Sequence, residues 1–92
     1  MYNPLLPAFV CAADCGSFTK AAEKLYLSPT AVMKQINTLE SHLQLQLISR
    51  TNQGIRLTPA GESITAAAKF LFDYSARAVR RARQRMSEYE KT

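Results

Sequence analysis

The sequence predicts an all-α domain that carries one small β-hairpin and ends in a single long helix. Three observations predict it. A capping residue is followed by proline at Ser28-Pro29 and at Thr58-Pro59, and each pair marks a helix start. Two β-prone runs, 45–48 and 55–57, flank a turn-forming Asn52-Gln53-Gly54. No proline or glycine interrupts the chain after Gly61 as far as Glu90.

Asn3 can cap a first helix, with Pro4 at its first position. Pro7 would then be interior, where it removes a hydrogen bond, so the start is also open at Leu6. Leu6, Phe9, Val10 and Ala13 follow at helical spacing and mark its buried face. Gly16 ends this helix, and Ser17 caps a second over Phe18 to Leu25, with Ala21, Ala22 and Leu25 on one side. A tight turn follows at Tyr26-Leu27; it lacks glycine, and Leu27 is expected to point inward as a plug. The third helix runs from Pro29 to about His42. Its core stripe is Val32, Ile36, Leu39 and Leu43, and its opposite face shows Thr30, Met33, Lys34 and Asn37. Residues 18–37 thus have the layout of a helix-turn-helix, in which the second helix is offered to the major groove of DNA.

The hairpin forms a wing over about 47–57. A lone hairpin is not stable, so Leu47, Ile55 and Leu57 should anchor it on the helices. Thr58 and Pro59 then open the last helix, with Glu62 in its first turn suiting the helix dipole. That helix should exceed about 25 residues, or roughly 40 Å. Ile64, Ala68, Leu71, Ser75, Ala78, Ala82, Met86 and Tyr89 recur at spacings of three and four, a seam with small residues in its middle. A second stripe, Ala67, Phe70 and Tyr74, is expected to face the domain body. The simplest account is a dimer of paired long helices, parallel or antiparallel. We therefore divide the chain into a winged helix-turn-helix, 1–58, and a linker or dimerisation helix, 59–92.

Ninety-two residues make one domain. Twelve basic residues stand against seven acidic ones, a net +5. Residues 69–92 hold seven basic and three acidic residues, while 1–68 hold five and four. The reading head is nearly neutral, so one copy alone should bind a polyanion modestly. There is no apolar run long enough to cross a bilayer and no signal-peptide pattern, so a cytoplasmic chain is expected. Cys11 and Cys15 lie one helical turn apart, with Cβ atoms roughly 5–6 Å apart, too far for an unstrained disulfide. They read as small half-buried residues; a metal pair would need further ligands, and His42 is not placed nearby. A redox switch at Cys15 is the minor alternative. With no glycine-rich phosphate loop and no nucleophile–base grouping, the sequence speaks against an enzyme.

Specific runs add to this reading. They are Phe9-Val10, residues 16–25 (GSFTKAAEKL), Ser28, Ala31-Val32, Lys34-Gln35-Ile36, Leu39-Glu40, Leu43, Leu47, Arg50-Thr51 and residues 57–61 (LTPAG). Through these, residues 5 to about 85 resemble the N-terminal DNA-binding region of LysR-type transcriptional regulators. The resemblance implies a winged helix-turn-helix followed by a linker helix that pairs in a dimer, bound to an interrupted palindromic operator. It implies as partners double-stranded DNA and a second copy of the chain, with a tetramer open to a full-length protein. It implies no cofactor, no metal and no membrane. The family's small-molecule effector binds a further domain that lies outside these residues. An excised fragment is expected here, because 88–92 stop without a structural ending; a natural short version is the alternative.

By position, the resemblance places Ser28, Pro29, Thr30, Met33 and Lys34 where the family's recognition helix touches DNA. It places Arg50 beside the wing at the backbone, and Asn52, Gln53 and Arg56 in or beside a minor-groove probe. Pro29 stands where the family commonly has glutamine, and Met33 where it commonly has serine. Glutamine can read adenine through two hydrogen bonds; proline has no side-chain donor, and methionine offers only apolar contact. Base preference should therefore differ from the common pattern.

Each residue also has a plainer reading. Lys34 can be a solvated lysine and Thr30 a helix-start residue. Arg50 can pair with Glu40 or Glu62. Lys20 at the start of the second helix can meet phosphate, but with Lys24 it also reads as a solvated face. The run Arg77, Arg80, Arg81, Arg83 and Arg85 is weighed first as a solvated flank that keeps the seam soluble, and second as a track for nucleic acid or an acidic membrane surface. The competing function is a dimerisation or protein-interaction module with only non-specific nucleic-acid affinity.

Overall fold

The computed structural model describes residues 4–91. The capping role expected of Asn3 lies outside the described residues. The first helix, α1 (Leu6–Cys15), starts where Pro7 allows, with the proline in its first turn. Gly16 closes it at φ 68°, its N–H donating to the Ala12 carbonyl at 2.9 Å. Phe9 and Ala12 are fully buried, and Leu6, Ala8 and Val10 nearly so. Ala13 is only half-buried.

Helix α2 (Phe18–Leu25) begins at Ser17, whose hydroxyl accepts from the Lys20 N–H at 3.3 Å. It buries Ala21 and Ala22. Tyr26 closes it in the left-handed region at φ 56°, a conformation that costs a residue with a Cβ. The expected plug is corrected here: Leu27 is 39% exposed and Tyr26 94%. The Leu27 N–H turns back to the Ala22 carbonyl, and the space between the helices is filled by Ala21, Ala22, Val32 and Ile36.

Helix α3 (Pro29–Leu43) starts on Ser28, which accepts from the Ala31 N–H at 3.1 Å. Val32, Ile36 and Leu39 are fully buried. Leu43 is not the fourth core residue expected, being 37% exposed. The last core contact of the helix is Leu39. One residue on, Glu40 takes over, its carboxylate accepting from the N–H groups of Leu47 at 2.7 Å and Ile48 at 3.4 Å. The chain turns there, leaving Leu43 and Leu45 at the rim.

The hairpin pairs β1 (Ile48–Thr51) with β2 (Gly54–Leu57), antiparallel, with Ile48 opposite Leu57 and Thr51 opposite Gly54. The first strand thus begins three residues later than the expected 45–48. The backbone of Leu47 is committed elsewhere: its N–H to Glu40, its carbonyl to the Thr58 N–H at 3.0 Å. Leu47 is fully buried, with Ile55 and Leu57 half-buried as expected, and Ile48 joins them.

Helix α4 (Pro59–Glu90) spans 32 residues, about 48 Å at its ordinary rise, in a molecule 60 Å long. Thr58 caps it, accepting from the Gly61 N–H at 3.0 Å while its hydroxyl donates to the Gln46 carbonyl at 2.6 Å. Its inward line is Gly61, Thr65 and Ala68, with Ile64 and Phe72 packed alongside the core. This reverses the expected faces. Ala67, Phe70 and Tyr74 point to solvent, Phe70 being 64% exposed and stacked on Tyr74 at a centroid distance of 6.5 Å. Ala68, expected in a dimer seam, is buried in its own protomer, and Ile64 packs against the same core. Gly61 sets this rotation: it lies so close to the Leu47 carbonyl that a Cβ there would collide with it. At about 100° per residue, locking Gly61 inward brings 65, 68 and 72 with it and turns 67, 70 and 74 away. Lys69 also pairs with Asp14 of α1 at 2.8 Å.

Candidate nucleic-acid interface

The interface is built outward from α3. Three fully buried residues, Val32, Ile36 and Leu39, fix which way the helix faces. Thr30, Lys34 and Asn37 then lie along its exposed side, and Pro29 and Ser28 are exposed at its tip. Thr30, Lys34 and Asn37 make no side-chain hydrogen bond or ion pair among the described residues. Met33 is half-buried at the edge of this face. The Ser28 hydroxyl is already engaged as the cap.

The hairpin supplies the second part. Arg50, Asn52, Gln53 and Arg56 are all exposed. The Asn52-Gln53 tip is shaped by Thr51, whose hydroxyl accepts from the Gln53 N–H at 3.2 Å and donates to the Gly54 carbonyl at 3.2 Å. The hairpin is fastened to the α1–α2 turn. The Ile55 N–H donates to the Gly16 carbonyl at 3.3 Å, and Gly54, at φ 123°, packs against the same carbonyl.

This fastening sets β1 beside the start of α2. A shallow cleft of about 260 Å³ opens there, lined by Phe18, Thr19, Arg50, Thr51 and Gly54 among others. The Arg50 guanidinium sits 5.5 Å from the centroid of the Phe18 ring. Arg50 makes no ion pair among the described residues; Glu40, one carboxylate considered for it, is bonded to the backbone of Leu47 and Ile48 instead. Lys20 is exposed in the first turn of the same helix. The family resemblance implies a DNA-backbone contact for Arg50, and nothing in the sequence pointed to Phe18 as its neighbour. Thirty-two positions separate them, and no local pattern joins a helix-start phenylalanine to a strand arginine.

The remaining chemistry is sparse. Cys11 and Cys15 are free thiols, both half-buried. Burial pushes the Cys11 thiol up, helped by its hydrogen bond with Cys15, so it stays protonated and weakly nucleophilic. Among the described residues, no three His, Cys, Asp or Glu side chains are grouped to hold a metal ion. No helix among them is long and apolar enough to cross a membrane.

Fold and site together define a winged helix-turn-helix DNA-binding domain, with a capped helix turned outward and a basic hairpin fastened beside it. The family can be stated as well. The chain belongs to the lysR family of bacterial regulatory helix-turn-helix proteins, whose model matches residues 5–62. An uncharacterized HTH-type transcriptional regulator of Azotobacter vinelandii, from the ibpB-leuC intergenic region, is 43% identical over 63 residues, 68% of this chain and 44% of that protein. The HTH-type transcriptional activator AllS of Klebsiella pneumoniae is 42% identical over 64 residues, 70% of this chain and 24% of that protein. The chain thus spans less than half the length of these curated relatives. Among solved structures, the complex of the BenM DNA-binding domain with benA site 1 DNA matches at a TM-score of 0.85 and 31% identity, covering 91% of this chain and 94% of that one. The complex of the CbnR DNA-binding domain with DNA matches at 0.82 and 30%, covering 90% and 95%.

Proposed function

We propose that this chain is the sequence-specific reading head of a bacterial transcription regulator that binds an interrupted palindromic operator as a homodimer. Helix α3 enters the major groove through Thr30, Met33 and Lys34, with Ser28 and Pro29 at its tip. The Asn52-Gln53 tip and Arg56 lie along the adjacent minor groove, and Lys20 and Arg50 meet phosphates. The observation that carries this reading is the outward face of α3, where the side chains of Thr30, Lys34 and Asn37 make no hydrogen bond or ion pair among the described residues while Val32, Ile36 and Leu39 lock the opposite face.

The dimer reading rests on α4. Its inward line through Gly61, Thr65, Ala68 and Phe72 continues at the same spacing through Ser75, Val79, Ala82 and Met86, beyond the body. Val79 is 47% exposed and Met86 55%. A second copy covers this overhang, with Leu71 and Ala78 at its edge. Two copies also supply the phosphate contacts that one nearly neutral head lacks. The domain works in the cytoplasm, where bacterial DNA lies, and effector sensing belongs to a further domain of the whole protein.

Selection of bound duplexes from a random-sequence pool tests the proposal. An inverted repeat should emerge. With about four to six phosphates neutralised per dimer, log K should fall with log salt at a slope of about −4 to −5. A pool that yields no preferred sequence would instead support a non-specific or purely protein-binding module.

A further inference from the structure

We propose that Phe18 is a positioning residue for Arg50: its ring holds the guanidinium at the start of α2, aimed at a DNA phosphate. The inference rests on the phosphate role proposed for Arg50, and goes beyond it by naming what orients that side chain.

An exposed arginine on a hairpin has many rotamers to lose, and fixing them on binding opposes affinity. Here one rotamer is favoured before DNA arrives. The Phe18 ring is half-buried and packed against the hydrophobic core, so it is a fixed platform. Arg50 reaches it from β1, with the guanidinium carbon 5.5 Å from the ring centroid. Neither carboxylate offered by the sequence pairs with it among the described residues: Glu40 accepts from Leu47 and Ile48, and Glu62 makes no ion pair with Arg50. The strand itself is held in place by the Ile55–Gly16 hydrogen bond and the close approach of Gly54 to Gly16. A cation over a ring uses its charge rather than its N–H donors, which stay available for phosphate oxygens.

The test is a double-mutant cycle on the whole chain, titrated with a short mixed-sequence duplex at low salt. F18L removes the ring face, R50Q removes the charge, and F18Y keeps the ring. F18L should weaken binding about two- to fivefold, the size of an exposed cation–π contact. R50Q should weaken it more, F18L should cost nothing further on R50Q, and F18Y should bind like the parent. In the free chain, the Arg50 side-chain NMR resonances should be shifted upfield by the ring and return to ordinary positions in F18L. Thermal melts identify any F18L loss that comes from unfolding, and F18Y then carries the comparison. If R50Q weakens binding and F18L does not, or if the two losses simply add, the positioning role is overturned. If R50Q leaves binding unchanged, the phosphate role of Arg50 fails first and the inference falls with it.

Discussion

Gly54 of the hairpin rests directly on the backbone of Gly16, such that a Cβ at position 54 would lie 2.6 Å from the Gly16 carbonyl oxygen. The same carbonyl accepts the Ile55 N–H. Gly54→Ala must therefore fail twice, through its φ of 123° and through collision with backbone. A loss of about 2 kcal/mol or more in urea denaturation is expected, with the hairpin amides shifting most in NMR spectra.

Glu40 holds two backbone N–H groups at the approach to the hairpin, those of Leu47 and Ile48. Glu40→Ala leaves both without their acceptor. Chemical denaturation should report a loss of about 1–3 kcal/mol, and Glu40→Gln, which keeps an acceptor oxygen, should recover part of it.

The Thr65 hydroxyl is buried with no hydrogen-bond partner among the described residues. Thr65→Val keeps the branched shape and removes the unsatisfied group. It should stabilise the chain by about 1 kcal/mol and raise Tm by several degrees in calorimetry.

Lys34 is exposed on the outward face of α3, and its side chain makes no hydrogen bond or ion pair among the described residues. Lys34→Ala should weaken binding to a selected operator by about 1–2 kcal/mol and leave the denaturation midpoint unchanged. An operator affinity equal to that of the parent would refute the orientation given to α3.

Val79 lies on the overhang of α4, half-exposed in one protomer. If the proposed dimer forms through this overhang, Val79→Glu should fold normally but shift sedimentation from dimer toward monomer, and operator binding should become steeply dependent on protein concentration. Phe70→Glu, on the opposite side of the same helix, should leave the dimer intact.

The helix boundaries were legible because they are written locally. Ser17, Ser28 and Thr58 each cap through their own hydroxyl, and Pro7, Pro29 and Pro59 each tolerate only a first turn. What local pattern could not supply was phase. Periodicity offered α4 two apolar stripes, and the choice between them was made by Gly61 against Leu47, a contact across the hairpin. The strand start slipped for the same reason, since Leu47 has β propensity but gives its N–H to Glu40. Leu27 and Leu43 fit a core pattern in sequence, yet they fall where the body has already ended. Within the candidate site, the exposed face of α3 followed from its buried one. The Phe18–Arg50 pairing did not, because it exists only once the hairpin has docked.

After Gly61, α4 runs without a helix breaker from its seat on α1 to Glu90. It is one continuous helix of 32 residues, packed on the core through Gly61, Thr65 and Ala68 and exposed over its last ten residues. A tilt of its far end therefore reaches α3 through the packing of α4 on α1 and of α1 on α3, with no proline or glycine on the way along the helix to absorb it.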